Sequence, residues 1–126
     1  MNFCWTTMTI NDMEESLAFY EGVLGLIVQR RFSPNDNIEI AFLGQAGQAQ
    51  VELICNKHLA DKLKENPHRG SGISLGFQVD SLNDALELVK EKGIAILRGP
   101  IRVNPTTQFF FVNDPNGYEI QLVEIS

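Results

Sequence analysis

Trp5 is the single tryptophan of the 126-residue sequence, and it stands in a stretch rich in β-branched and aromatic residues, 3–10 (FCWTTMTI). Its indole can stack on a flat ligand or face a cation. Glu52 lies in a second strand-like stretch, near 49–55, with Val51 and Leu53 on either side. A carboxylate beside an aromatic can act as a general base or as a counter-charge for a basic ligand. It reads equally well as a hydrated structural residue. Ser74, Gln78 and Gln121 bring neutral hydrogen-bonding groups to other strand-like segments. Arg98 and Arg102 read as surface charge, with an anionic ligand as the other use. Other constellations are missing from the sequence: there is no GxSxG, no Gly-rich phosphate loop and no HExxH.

The two histidines, His58 and His68, fall in a polar stretch beside Asn56, Lys57 and Arg69. They read as surface residues; His68 at a cavity rim stays open. Cys4 and Cys55 form neither a disulfide framework nor a CxxC knuckle. They are expected as small buried hydrophobes, reduced in a cytoplasmic protein.

The elements that must position these residues follow from local signals. Asp12 suits a helix N-cap, with Glu15 three residues on. Ser16, Leu17, Tyr20 and Leu24 then recur at helical spacing until Gly25. Strands are expected near 26–32, 37–43 and 49–55, separated at Ser33-Pro34-Asn35 and Gly44–Gly47. A linker, 57–71, carries a short helix candidate, 58–66. A strand over 73–80 follows, then a helix over 82–92 with Leu82, Ala85, Leu86 and Val89 on one face, ended by Gly93. A strand near 94–98 leads into an irregular stretch through Pro100 and Pro105. Strands 107–112 and 118–125 close a hairpin around Asn113-Asp114-Pro115-Asn116-Gly117.

The order βαβββ thus occurs twice. A constant shift of 69 residues carries Met13 onto Leu82, Leu17 onto Leu86, Phe42 onto Phe111 and Leu53 onto Leu122. One shift serving helices and strands alike implies duplication. The expected organisation is a single domain, 1–126, of two modules, 1–56 and 72–126. Strand alternation then sorts the faces. Cys4, Met8 and Ile10, with Val51, Leu53 and Cys55, and in the second half Ile73, Leu75, Phe77 and Val79 with Ile120 and Leu122, form the helix-covered side. The opposite side is mixed: Trp5, Thr7, Gln50, Glu52, Ser74, Gly76, Glu119 and Gln121. A tryptophan there favours a cavity wall over plain solvent surface.

Composition narrows the partners. The net charge is −6 and the pI about 4.8, which suits no phosphate backbone, so no nucleic acid is expected. No apolar run approaches the length that spans a bilayer, so no membrane is expected. Apolar residues make 44% and charged residues 21%, as in ordinary soluble domains.

Three segments carry a family resemblance: DMEESLAFYEGVLGL at 12–26, GFQVDSLNDALELVKEKG at 76–93 and FFFVNDPNGYEIQLVE at 109–124. With the repeat, the chain resembles the vicinal oxygen chelate (glyoxalase/bleomycin resistance/dioxygenase) superfamily along essentially its whole length. The resemblance implies an α+β fold, two paired βαβββ modules forming a curved half-barrel cavity, usually within a homodimer. It also implies four metal-ligand positions, which align here with Trp5, Glu52, Ser74 and Gln121. The shift of 69 relates them in pairs, Trp5 to Ser74 and Glu52 to Gln121. Zn, Ni, Fe or Mn in such sites takes three or four N, O or S donors, and indole offers none. Glu52 alone keeps a ligating carboxylate. The expectation is therefore a small-molecule-binding protein with a degenerate metal site and no cofactor. Trp5, Phe42, Glu52, Ser74, Phe109, Phe111 and Gln121 would contact ligand, with Glu52 as the catalytic candidate. The alternative is a glyoxalase-I-like (lactoylglutathione lyase-like) lyase or isomerase that uses a divalent metal.

Overall fold

The computed structural model describes residues 1–66 and 69–126, so His68 lies outside the described residues. The chain divides into two compact units, Met1–Pro67 and His68–Ser126. The first runs β1 (Trp5–Ile10), α1 (Met13–Tyr20), β2 (Val28–Asn35), β3 (Ile38–Leu43), β4 (Gln50–Asn56) and a short α2 (Ala60–Lys64). The second runs β5 (Ser74–Gln78), α3 (Leu82–Glu91), β6 (Ile96–Asn104), β7 (Thr107–Asn113) and β8 (Glu119–Ile125). Each unit is a βαβββ module, and the fold is α+β. Each holds one four-stranded sheet, in the order β1-β4-β3-β2 or β5-β8-β7-β6. The first strand of each module pairs parallel with its last; the other pairs are antiparallel.

Helix α1 starts where the sequence predicts, because the Asp12 carboxylate accepts the Glu15 N–H at 2.8 Å. It ends at Tyr20, short of Gly25, and residues 21–24 form a turn. Ser16, Leu17 and Tyr20 are buried as expected, and Phe19 joins them. Ile10, Leu43 and Leu53 complete the innermost core of this unit. In the second unit Leu82, Val89, Phe110, Val112 and Ile120 play that part. Gly93 follows the C-cap of α3 at φ 72°. The Ile94 N–H reaches the Val89 carbonyl and the Gly93 N–H that of Lys90, a Schellman closure.

The start of α3 is held twice. Ser81 Oγ accepts the Asp84 N–H at 3.2 Å, and the Glu124 carboxylate of β8 accepts the Leu82 N–H at 2.8 Å. That backbone donor, then the Gln108 side-chain amide, lowers the Glu124 pKa below its ordinary value. A lowered carboxylate stabilises the fold above its ordinary range and ceases to do so as pH falls through the folded value. Glu124→Gln is therefore expected to be less stable than the parent chain at neutral pH. The gap should close in acid. Urea midpoints of both proteins across that range provide the check, and a gap independent of pH would remove the charge from this account.

Three expectations about the elements need correction. Cys4 is exposed, not buried, because β1 begins after it and only the later residues Met8 and Ile10 reach the core. Cys55 is half-buried; its Sγ donates to the Asn11 carbonyl at 3.6 Å, and burial, then the Asp12 charge, pushes its thiol pKa up. Ile73 is 66% exposed, because it precedes β5 in a turn closed on the Gly70 carbonyl. Finally, the stretch through Pro100 is part of a nine-residue edge strand, β6, and Pro34 lies within β2. Proline survives there because both strands are sheet edges and shift register around it. The Gly99–Pro100 peptide is cis.

Candidate functional site

The register places one row of side chains across each sheet, on the mixed face. In the first unit Thr7 pairs with Glu52, Glu52 with Phe42, and Phe42 with Arg30. In the second unit Gly76 pairs with Gln121, Gln121 with Phe111, and Phe111 with Arg98. Paired residues project from the same face. The two rows are therefore the same row, written as Thr–Glu–Phe–Arg and as Gly–Gln–Phe–Arg.

In the first row, Thr7 Oγ1 donates to Glu52 Oε1 at 2.6 Å. Trp5, one side-chain step along β1, sets its ring edge-on to Phe42, with centroids 5.4 Å apart. The Arg30 guanidinium lies over the Phe42 ring, 4.4 Å from its centroid. Phe42 is thereby 4% exposed, whereas Trp5 is 47% exposed. Trp5 and Arg30 cover the ring, so they, and not Phe42, form the outer surface of this row.

In the second row, Phe109 and Phe111 meet edge-on at 5.6 Å, and the Arg98 guanidinium lies 4.1 Å from the Phe111 centroid. Arg98 also pairs with the Glu119 carboxylate. Arg98 is exposed, the surface charge expected, and the pair with Glu119 ties it to the row. A Cβ at Gly76 would lie 3.2 Å from Gln121 Oε1, so glycine leaves room for that amide. Ser74 is exposed at the start of β5, opposite Glu119. Arg102 is turned to the Pro105 carbonyl and Gln108, away from this row. His58 is exposed, and its backbone N–H is bound to Asn56.

Two participants were missed. Thr7 carried no signal beyond its parity. Arg30 escaped because it sits 68 residues before Arg98, one less than the shift that aligns the rest. The cause is in the backbone. β6 shifts register between Arg98 and Ile101, whereas β2 runs in unbroken register from Arg30 to Phe32. Such a bulge adds a residue to the strand. Allowing one slip in the edge strand would have paired the two arginines.

The donor set can be tested against the metal that the family's ligand positions imply. Trp5 has an N–H and no lone pair to offer. Glu52 has one oxygen engaged by Thr7. Ser74 and Gln121 are neutral and weak. One carboxylate with an amide and a hydroxyl does not fit a Zn, Ni, Fe or Mn centre. Among the described residues, no three His, Cys, Asp or Glu side chains gather into a metal-holding group.

Comparison with known proteins agrees with the fold. The model of the Glyoxalase/Bleomycin resistance protein/Dioxygenase superfamily matches residues 3–122. A lactoylglutathione lyase of Escherichia coli O157:H7 is 30% identical over 98% of this chain and 93% of its own length. Another, from Neisseria meningitidis serogroup B, is 29% identical over 98% and 91%. Among solved structures, the trypanothione-dependent glyoxalase I of Leishmania major superposes with a TM-score of 0.82 at 22% identity, covering 98% of this chain and 86% of that one. TnmS3, an antibiotic-binding protein from Streptomyces sp. CB03234, gives 0.70 at 20% identity, covering 100% and 97%. The chain thus belongs to the Glyoxalase/Bleomycin resistance protein/Dioxygenase superfamily.

Proposed function

We propose that the protein binds a small organic molecule on the mixed sheet face without using a transition metal. The observation that carries this reading is the substitution of aromatic and neutral groups at the family's ligand positions. Trp5 stands where a metal donor would be needed, and it packs on Phe42 beside Glu52. That composition suits stacking and hydrogen bonding, the usual means of holding a drug-sized molecule. Trp5, Glu52, Ser74, Phe109, Phe111 and Gln121 are the proposed contacts, with Phe42 as the support beneath Trp5. A homodimer in the cytoplasm belongs to the same proposal. Among the described residues, no helix is long and apolar enough to cross a membrane.

Protein purified without chelator or metal-affinity tag is expected to hold less than about a tenth of an equivalent of any transition metal. Plasma mass spectrometry measures this directly. A thermal-shift screen of planar compounds should then find stabilising ligands with no metal added.

A lyase reading is favoured by one specific finding, the 30% identity to an enzyme named lactoylglutathione lyase. Glu52 could move a proton in such chemistry, but the electrophile that polarises the carbonyl would have to come from elsewhere. Near-stoichiometric metal, with turnover of the methylglyoxal–glutathione hemithioacetal on adding Ni²⁺ or Zn²⁺, would put this reading first.

A further inference from the structure

The two rows differ in how they treat their arginine. In the second unit Arg98 pairs with Glu119. The residue in the place of Glu119 in the first unit is Gln50: Gln50 pairs with Trp5 as Glu119 pairs with Ser74. Gln50 is neutral, and its amide is spent on the Gln45 carbonyl at 3.3 Å. The adjacent Arg31 takes the two nearby carboxylates, Glu14 and Glu39. Arg30 is left stacked on Phe42 and Phe32, with no carboxylate within ion-pair distance among the described residues. The repeat thus supplies its own control: the same guanidinium on the same ring, neutralised in one unit and not in the other.

We propose that Arg30 binds the carboxylate of an aromatic acid. This deepens the binding reading above and rests on it. The Arg30 guanidinium carbon rests 4.4 Å from the Phe42 centroid, which limits its positions before any ligand arrives. A planar guanidinium presents parallel N–H donors that match a carboxylate two-to-two. Trp5, packed on the same Phe42 and 47% exposed, offers its indole to the ring of the same ligand. Glu52 lies two strands from Arg30, about 10 Å at the usual strand spacing, so it does not oppose an acid there. Its second oxygen is placed to accept a hydroxyl or amine at the far end of a longer ligand. The chain as a whole carries a net charge of −6 and repels anions, so acid binding must come from this local cation.

The test uses 2-naphthoate and its neutral amide, 2-naphthamide, titrated into the full-length protein by calorimetry. The acid is expected to bind about tenfold or more tightly than the amide. Arg30→Gln should erase that preference and leave amide binding unchanged. Gln50→Glu should erase it too, because it supplies Arg30 with the partner that Arg98 already has. Arg98→Gln should leave it intact. Urea melts confirm that each variant still unfolds cooperatively. Equal binding of acid and amide, or a preference that survives both Arg30→Gln and Gln50→Glu, overturns the assignment to Arg30 while leaving the binding reading standing. Binding of neither probe also overturns the assignment, and the thermal-shift screen then judges the binding reading separately.

Discussion

Trp5→Ala is expected to weaken binding of any planar ligand found by thermal shift by about 30-fold or more, the loss of a dominant contact worth about 2 kcal/mol. The fold should survive. Trp5 is the first residue of an edge strand, and its indole is 47% exposed. Its edge-on contact with Phe42 contributes about 0.5–1.5 kcal/mol to stability beyond the area it covers. The variant should thus still melt cooperatively, only modestly early, while the titration loses its signal. Trp5→Phe should recover part of the affinity by restoring a ring. Unchanged affinity in Trp5→Ala would remove the first sheet face from the site.

The largest loss of stability is expected from Asp114→Ala. This carboxylate is 5% exposed at the tip of the β7–β8 hairpin. One oxygen accepts the backbone N–H groups of Asn116 and Tyr118, each at 2.8 Å, and the other accepts the Asn116 side-chain amide at 2.9 Å. The Asp114 backbone adds its own N–H to the Tyr118 carbonyl and accepts from Gly117. Alanine keeps these last two bonds and strands the other donors. Leaving a buried donor unpaired costs about 1–3 kcal/mol, and three are stranded here, so the total should reach about 3 kcal/mol or more. The urea midpoint should fall with its slope unchanged, since the same surface is exposed on unfolding. A midpoint shift near zero would mean that water reaches the turn and replaces the carboxylate.

This turn was among the plainest features of the sequence, and the reason is chemical. Asp, Asn and Gly in that order satisfy a tight reversal locally, so no distant contact is needed to read it. The same holds for the Asp12 cap of α1 and the glycine that follows α3. The module order and the pairings of Phe42 with Phe111 and Leu53 with Leu122 were legible because duplication preserves spacing. What stayed hidden depends on residues meeting across strands. The register shift between Arg98 and Ile101 puts one residue into β6 that β2 lacks, and a fixed shift steps past it. Phe42 was placed on the mixed face by parity alone, whereas its cover comes from Trp5 and Arg30 on two other strands. Cys4 was misjudged because strand parity says nothing about where a strand begins.

The parallel pairing of β1 with β4 has a consequence for the order of events on the ribosome. The strand that carries Trp5 and Thr7 is translated before its neighbour, and among the described residues of the first unit the strand it pairs with is β4, residues 50–56. Through the synthesis of α1, β2 and β3 it waits as an unpaired strand bearing an exposed indole. Pairing across so long a loop is slow compared with closing the β2–β3 hairpin. The Thr7–Glu52 hydrogen bond therefore forms after the β2–β3 hairpin, and an arrested chain ending before Gln50 would display β1 to any neighbouring nascent chain with a free edge.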